Sequence, residues 1–437
     1  MSDEVTPSVN PVDLSVKLRK ISSLDGSELF SSAEEKSSAL QLKRESHTPV
    51  TVPKYPKEPV YKNTDLKSFY YRANYFAAIA KHKLLRKEAP IIAIIVVNNH
   101  CNWNCNYCFG DYPNRKEVDY TTDELKFIIS ELYDLGCRYL NLHGGETLLR
   151  KDVGEICNFV KNKGMYLGLI TNGSLLSKHV EELRNVDNLT ISLDGAREGN
   201  EKNRGSGTFE KTIAAIKLGI QEGLKLRVSA TITKHTMNDI GYLANLAQSM
   251  GFHLYFSILF KPLKKAHDSQ MTNDEIRHTL REIKRYRQMG YPIFTSDGAI
   301  DAALHWPYDY NENFHIPEDK IPDSYREHHV KCYFSRTKFT IEADGYVYPC
   351  FLTTDGSFKP LNWRDVGLKK AIDHVRDTNQ CRACPALSHS DHSLLLGMEP
   401  KQIVHVVKDQ LKESLRIKHK PNVPGEWKDF KPPEVKS

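Results

Sequence analysis

The 437 residues are enough for two or three domains, and a hydrophobic content of 40% is ordinary for a globular protein. The formal net charge of +6 is too small to imply a nucleic-acid partner, and the longest apolar run, residues 91–97, is too short to cross a bilayer. The nine cysteines, with no apolar secretory signal in the first twenty residues, indicate thiols or metal ligands in a reducing cytoplasm rather than disulfides.

The N-terminal part of the chain is predicted to be mostly unstructured. Residues 1–60 are rich in Ser, Pro, Lys and Glu, so they cannot bury enough apolar surface to offset their loss of chain entropy. Residues 61–90 contain a predicted amphipathic helix at 65–87, which we expect to dock on the protein rather than on a membrane surface. Its predicted apolar face consists of Leu66, Phe69, Ala73, Phe76, Ala80 and Leu84.

From residue 91 onward, segments typical of buried strands alternate with segments of helical periodicity. Six such units predict an α/β fold in which a parallel sheet curls into a partial (βα)6 TIM-like barrel over residues 91–300. Strands are predicted at 91–98, 138–143, 166–171, 188–193, 225–232 and 252–258, and helices at 122–135, 152–164, 177–184, 208–222, 237–250 and 273–289.

A small C-terminal domain is predicted to follow the barrel, over residues 301–398. It contains a predicted hairpin at 337–350, which turns at an Asp-Gly pair, and a predicted helix at 363–376. Residues 399–437 are predicted to hold one more amphipathic helix and a basic tail.

Three cysteines directly follow the first predicted strand, in the sequence Cys101-Asn-Trp-Asn-Cys105-Asn-Tyr-Cys108. Thiolates are the ligands of iron–sulfur clusters, and three of them can bind three irons of a 4Fe–4S cubane while the fourth iron stays open. A zinc knuckle is the alternative, although zinc sites use four ligands and no fourth is obvious nearby. The C-x3-C-x2-C spacing, with an aromatic residue at Tyr107, resembles the radical S-adenosylmethionine (SAM) superfamily.

Other motifs lie at the ends of the predicted strands, where α/β barrels place their chemistry. Gly144-Gly145-Glu146 follows the second strand and resembles the superfamily's GGE motif, which contacts the amino group of SAM. The resemblance implies further SAM contacts from residues at or just beyond the ends of the third, fourth and fifth strands, with an arginine near the SAM carboxylate. Together with Tyr107, these are Asn172, Ser192, Asp194, Arg204 and Thr231.

Structural roles remain open for several of these side chains. Glu146 is also placed where an ordinary helix N-terminal carboxylate would lie, and Asp194 where a turn residue would lie. His143, at the end of the second strand, is expected to be structural. Cys137 and Cys157 are expected to be buried, inert thiols.

A second group of cysteines lies beyond the barrel and consists of Cys332, Cys350, Cys381 and Cys384. Their spacing resembles the opening of the SPASM and twitch extensions of radical SAM enzymes. A full SPASM domain would continue with more cysteines, and none follows Cys384, so the resemblance implies the shorter twitch form with one auxiliary 4Fe–4S cluster. A structural zinc site held by the same four thiols is the alternative.

The resemblance implies an enzyme that uses two 4Fe–4S clusters, SAM and a one-electron donor such as flavodoxin or ferredoxin. SAM would be cleaved reductively to a 5′-deoxyadenosyl radical, which removes a hydrogen atom from the substrate. We expect a small-molecule substrate, because residues 1–90 lack the β-rich pattern of a leader-peptide-binding domain, and an oxidative reaction. The aromatic stretch 305–314 is a candidate lid. A SPASM-type peptide maturase and a non-catalytic iron–sulfur or zinc scaffold are the alternatives.

Overall fold

The computed structural model describes residues 49–62, 65–85, 88–260, 267–312 and 316–407. The chain divides into two compact units, residues 1–48 and residues 49–437, and every described residue belongs to the second unit. The predictions for residues 1–48 and for the basic tail after residue 407 therefore lie outside the described residues.

The centre of the fold is a nine-stranded sheet whose first six strands are parallel and adjacent in the order of the sequence. The strands are β1 (Ile92–Val96), β2 (Tyr139–His143), β3 (Tyr166–Thr171), β4 (Asn188–Ser192), β5 (Leu226–Ile232), β6 (His253–Ile258), β7 (Ile316–Pro317), β8 (Lys338–Ile341), β9 (Tyr346–Tyr348), β10 (Leu361–Asn362) and β11 (Cys381–Ala383). All six predicted barrel strands are present, and β7 and β11 form a separate two-stranded sheet.

Helices follow each of the first six strands, as predicted for a partial (βα)6 barrel. In chain order, and beginning with one helix that precedes β1, the helices are α1 (Asp65–Leu85), α2 (Thr122–Asp134), α3 (Val153–Asn162), α4 (Val180–Leu183), α5 (Arg197–Arg204), α6 (Thr208–Gln221), α7 (Ile240–Met250), α8 (Asn273–Gln288), α9 (Asp297–Leu304), α10 (Trp363–Val366), α11 (Leu368–Thr378) and α12 (Leu387–Leu396). Residues 400–407 are also helical. Helices α5, α9 and α12 were not predicted. No helix in the described part of the chain is long and apolar enough to span a membrane.

Side-chain alternation along β5 shows how the barrel is built. Val228, Ala230 and Ile232 are fully buried in the main apolar core, which the helices complete. The residues between them have the opposite orientation, because successive side chains of a strand point to opposite faces. Arg227 and Ser229 accordingly line a cavity inside the barrel. The barrel therefore has an apolar outer layer and a partly polar interior.

The second predicted domain continues the sheet of the barrel. Strand β8 pairs in parallel with β1, and β9 and β10 follow in antiparallel pairing. The hairpin predicted at 337–350 is confirmed, with Gly345 at a φ of 99° in its turn. The single helix predicted at 363–376 is wrong in detail, because Gly367, with a φ of 83°, separates α10 from α11. A domain boundary near residue 300 stays a prediction.

The segment that precedes the barrel is ordered over residues 49–62. The amide of Val50 donates to the carbonyl of Arg364 at 3.0 Å, and the amide of Tyr55 donates to the Asp123 carboxylate at 3.0 Å. The side chain of Tyr61 is buried. The prediction of disorder is thus wrong for residues 49–60, because backbone hydrogen bonds and one tyrosine fix a segment with little apolar content.

Helix α1 docks on the barrel, and its docking face shares Phe76 with the predicted one. Tyr75 packs against Tyr139 and Tyr166 with ring centroids 5.5 and 6.3 Å away, and Ile79 is also buried. Leu84, predicted to be on the docking face, is 78% exposed. The rings of Tyr75, Tyr139 and Tyr166, which the predicted face did not include, form much of this contact.

Candidate functional site

The loop that follows β1 carries Cys101, Cys105 and Cys108, all three half-buried and none in a disulfide. The amide of Cys108 donates to the carbonyl of Cys105 at 3.2 Å, and Cys101 and Cys108 pack on the same apolar cluster, so the three cysteines lie near one another. Burial raises the pKa of the Cys101 thiol to about 11 and that of Cys105 to about 12. These two thiols are protonated near neutral pH, so a metal that they bind must displace their protons.

Hydrogen bonds fix this cysteine loop to the neighbouring strand ends. The backbone amide of Asn106 donates to the carbonyl of Asn203 at 2.9 Å, and its side chain donates to the Ser269 hydroxyl at 3.0 Å. On the other side, the Asn172 side chain donates to Asn102 at 2.8 Å. The loop is therefore held by residues that follow β3, β4 and β6.

The Gly144-Gly145-Glu146 segment packs directly against the cysteine loop. The amide of Glu146 donates to the carbonyl of His100 at 2.8 Å. A Cβ atom on Gly145 would lie 2.2 Å from the His100 carbonyl oxygen, and one on Gly144 would lie 2.0 Å from the Asn98 side-chain oxygen. Glycine is thus required at Gly145, where a side chain would push the two loops apart, whereas at Gly144 the Asn98 side chain would have to move.

The Glu146 carboxylate is satisfied within the protein. It is 1% exposed and accepts hydrogen bonds from the Thr171 hydroxyl at 2.6 Å and from the amides of Asn172 and Leu148 at 2.7 and 2.9 Å. Burial raises its pKa, and these hydrogen bonds act in the opposite direction. Glu146 caps the short helix Thr147–Leu149, which is the structural role that the sequence left open.

Asp194 joins three of the residues predicted to contact SAM. Its carboxylate accepts hydrogen bonds from the Tyr107 hydroxyl at 2.7 Å, from two nitrogens of Arg204 at 2.8 Å each, and from the Thr231 amide at 2.9 Å. The Arg204 guanidinium is therefore paired with Asp194. Ser192 lies at the end of β4, opposite Ser229 of β5. Tyr107, Arg204 and Thr231 are thus connected through Asp194.

The second cysteine group also comes together in space. The amide of Cys332 donates to the carbonyl of Arg382 at 2.8 Å, which brings Cys332 to the strand that contains Cys381. Cys332 and Cys350 pack in one apolar cluster with Phe334, and burial raises the pKa of each of the four thiols. Among the residues that the structure describes, no three His, Cys, Asp or Glu side chains are arranged to hold a single metal ion.

A cavity of about 310 Å³ occupies the interior of the barrel. Residues of β1 to β6 and of β8 surround it, and residues of α1 and α12 also line it. His143, which immediately precedes Gly144, lines the cavity, and so does Cys350 of the second cysteine group. The cavity thus contacts the second group and adjoins the segment that packs on the first.

Two cavity residues were not recognised from the sequence as functional. His143 stacks on Phe351 with ring centroids 5.1 Å apart, and its Nε2 atom makes no hydrogen bond within the described residues. Burial, with a smaller contribution from Lys338, lowers the pKa of His143 to about 3. Lys338 lies with its Nζ 3.2 Å from His392 Nδ1 and 4.4 Å from the Phe334 ring centroid, and burial lowers its pKa to about 7. A lysine in an otherwise uncharged strand was the available signal.

The predicted aromatic lid is wrong for residues 305–312. Trp306 and Tyr310 belong to the main apolar core, and the Tyr310 hydroxyl donates to the carbonyl of Ala303 at 2.6 Å. Within the described residues, the cavity lining includes none of this stretch. Residue 314 lies outside the described residues. The aromatic side chains are explained by packing beside α9. Cys137 and Cys157 are fully buried, as expected of inert thiols.

Residues 95–247 match the radical SAM superfamily. The AdoMet-dependent heme synthase of Methanosarcina barkeri is 35% identical over 180 residues, which are 39% of this chain and 52% of that protein. The Fe-coproporphyrin III synthase of the same organism is 26% identical over 249 residues, 51% of this chain and 59% of that protein. The match thus spans little more than half the length of these curated relatives.

Solved structures show the same fold. Streptococcus suis SuiB bound to its precursor peptide SuiA has a TM-score of 0.54 and 17% identity, over 80% of this chain and 78% of that one. The enzyme anSMEcpe with bound AdoMet has a TM-score of 0.53 and 18% identity, over 76% of this chain and 99% of that one.

The parallel partial barrel has three cysteines after its first strand and a GGE segment after its second, and residues 95–247 within it match the radical SAM superfamily. The similarity to this superfamily thus covers the part of the chain from β1 to α7. Enzymes of this superfamily use a 4Fe–4S cluster and SAM, and relatives of this chain are named as synthases and cyclases.

Proposed function

We propose that this protein is a radical SAM enzyme that modifies a small molecule bound in the barrel cavity. One observation carries the proposal. The cysteine loop, the GGE segment and the Asp194 network meet at the carboxyl ends of the barrel strands, and a cavity adjoins them through His143. Chemistry in α/β barrels takes place at this end of the strands.

The residues present fit a SAM-binding 4Fe–4S cluster. Cys101, Cys105 and Cys108 offer three thiol ligands near one another. Gly145 lets the GGE segment pack directly against the backbone at His100, beside these cysteines. When bound, the cluster and SAM supply a 5′-deoxyadenosyl radical that removes a hydrogen atom from the substrate. The chain's own part is to hold the loop, enclose the substrate and exclude water.

The remaining predicted SAM-site residues divide into two roles in this proposal. The Glu146 and Asp194 carboxylates already accept hydrogen bonds from protein groups, which include the side chains of Thr171 and Arg204. They therefore hold the loops around the site in place and do not bind SAM directly. We assign them positioning roles. The set left to face SAM comprises the backbone of Gly144 and Gly145 and the side chains of Tyr107, Asn172, Ser192, Arg204 and Thr231.

The second cysteine group is proposed to hold an auxiliary 4Fe–4S cluster. The four thiols share one neighbourhood, as the ligands of a single cluster must. Cys350 also lines the cavity, so a cluster here would lie beside the substrate. This placement suits an electron acceptor and supports a net oxidation.

The size of the cavity supports a small substrate. About 310 Å³ lies at the lower end of the range of about 300–1,000 Å³ that is typical of ligand pockets. A peptide side chain that enters the same cavity is the second candidate. It is favoured by the PqqA peptide cyclase of Granulibacter bethesdensis, which is 26% identical over 170 residues. We also propose a flavodoxin or ferredoxin as electron donor and the cytoplasm as the location.

The test is SAM cleavage by the protein reconstituted anaerobically with iron and sulfide. Under dithionite we expect release of 5′-deoxyadenosine, and we expect the Cys101→Ala, Cys105→Ala, Cys108→Ala triple variant to release none. A matched variant, Cys137→Ala, removes a buried cysteine outside both groups and should retain the reaction. Equal release from the triple variant and the wild type would refute the proposal and favour the non-catalytic scaffold.

A further inference from the structure

The barrel cavity carries an excess of positive charge. Lys338, Arg227 and Arg72 all line it, whereas Asp391 is the one carboxylate among its described lining residues. The Asp391 carboxylate accepts hydrogen bonds from both the amide and the hydroxyl of Ser296, at the start of α9. The local charge balance therefore favours an anionic ligand.

Lys338 is the most deeply placed of these cations. It is 4% exposed and is the first residue of β8, and its ammonium group lies beside the neutral ring of His392 and the face of Phe334. The ion pairs found among the described residues do not include Lys338. Burying an ammonium group is costly unless an anion lies beside it. A bound anion would supply the missing partner.

Arg227 shares this neighbourhood with Lys338. Its guanidinium lies 4.5 Å from the Phe294 ring centroid, and its charge acts on His392 together with that of Lys338. Burial, with these two cations, keeps the pKa of His392 well below its ordinary value, so His392 adds no positive charge itself. Lys338 of β8 and Arg227 of β5 thus both line the cavity and both act on His392.

The rest of the lining is neutral and able to form hydrogen bonds. The side-chain oxygens of Asn141 and Asn188 are buried without a hydrogen-bond partner within the described residues. Gly168 separates them on β3, and a Cβ there would lie 2.7 Å from the Asn141 oxygen. The cavity therefore offers acceptors for donor groups on a ligand, in space that the absence of a side chain keeps open.

We propose that the cavity binds its substrate through a carboxylate or phosphate group held by Lys338 and Arg227. The ligand class is a compact anion whose uncharged part carries hydrogen-bond donors and extends along the cavity. This inference rests on the proposed function, since it takes the cavity as the substrate site. Its rival is that Lys338 serves only the second cysteine group, because charges on Cys332 and Cys350 also act on it.

The experiment measures anion binding to the reconstituted holoprotein with SAM present. Succinate and inorganic phosphate are titrated separately by calorimetry, with succinamide as the neutral control. We expect at least one anion to bind the wild type, Lys338→Met and Arg227→Met each to weaken that binding at least tenfold, and Lys338→Arg to restore most of it. Lys211→Met, which removes an exposed lysine of α6, is the matched control. The two arms show whether carboxylate or phosphate is preferred.

Two results would overturn the inference. The first is that neither anion binds the wild type better than succinamide does. The second is that Lys338→Met binds anions like the wild type while the reduction potential of the auxiliary cluster shifts, which assigns Lys338 to the cluster alone. Release of 5′-deoxyadenosine by the wild type is measured separately. Anion binding without SAM cleavage would leave the anion site standing and reject the proposed function.

Discussion

The Arg204 guanidinium donates from Nε and Nη2 to the two oxygens of the Asp194 carboxylate, each at 2.8 Å, and both side chains are buried. Tyr107 of the cysteine loop donates to the same carboxylate from 87 residues away in sequence. The pair, together with Tyr107, therefore holds the cysteine loop, the end of β4 and helix α5 together. Loss of either charge would leave the other buried without compensation.

Asp194→Asn is expected to destabilise the protein by about 3–5 kcal/mol, the usual cost of breaking a buried ion pair from one side. The measurement is the midpoint of thermal or urea unfolding. Glu198→Gln is the matched control, because it breaks the exposed Glu198–Lys202 pair on α5, the helix that also carries Arg204, and should change stability little. A loss of stability no greater than that of the control would show that the Asp194 network does not hold the site.

Gly145→Ala is expected to prevent assembly of the first cluster. The new Cβ would lie 2.2 Å from the backbone oxygen of His100, so the cysteine loop must move away. We expect at least a tenfold loss of 5′-deoxyadenosine release and a lower iron content after reconstitution. Gly219→Ala on α6 is the control, because its Cβ would meet nothing closer than 3.6 Å and alanine favours a helix. Normal iron loading of Gly145→Ala would contradict the close approach.

His143 should make the protein less stable in acid. Its pKa is about 3 in the folded state, because of burial and then Lys338, against about 6.5 unfolded. The unfolded chain therefore binds the proton first, and stability is lost as the pH falls from about 6.5 towards 3. A shift of this full size would lower the free energy of unfolding by about 2 kcal/mol at pH 5. We expect about half of that loss, because the ring faces a cavity that water can enter.

The measurement compares unfolding midpoints of the wild type and His143→Gln between pH 7.5 and pH 5. The variant lacks the titrating ring, so its stability should fall less over this interval. Phe351, the stacking partner, is unchanged in both proteins. Parallel pH profiles would mean that His143 titrates normally and is solvated from the cavity.

Iron content tests the second cysteine group. Two 4Fe–4S clusters correspond to about eight irons per chain when seven cysteines act as ligands. Cys381→Ala with Cys384→Ala should reduce this to about four, while Cys157→Ala, at a buried thiol in α3, should leave it unchanged. A wild-type protein that saturates at about four irons and also holds zinc would show that the second group is a structural zinc site.

The sequence was sufficient for the barrel because each strand is a short apolar or alternating segment bounded by polar residues. β1 is buried at all five positions, and the alternation along β5 is visible in the residue order. Helix α5 was missed because its sequence is almost entirely polar and shows no apolar periodicity. It forms because Asp194 and Asn106 use its last residues as partners.

What the sequence by itself determined is the chemistry that depends on local spacing. The intervals between Cys101, Cys105 and Cys108 and the Gly-Gly-Glu triplet need no distant contact to be recognised, because the ligands lie within one loop. Only the tertiary structure decided what surrounds them. Lys338 and His392 are 54 residues apart and meet because β8 joins the sheet beside β1 while α12 also lines the cavity. A side chain acquires its charge environment from such neighbours, so the character of the cavity is set by packing and not by any motif.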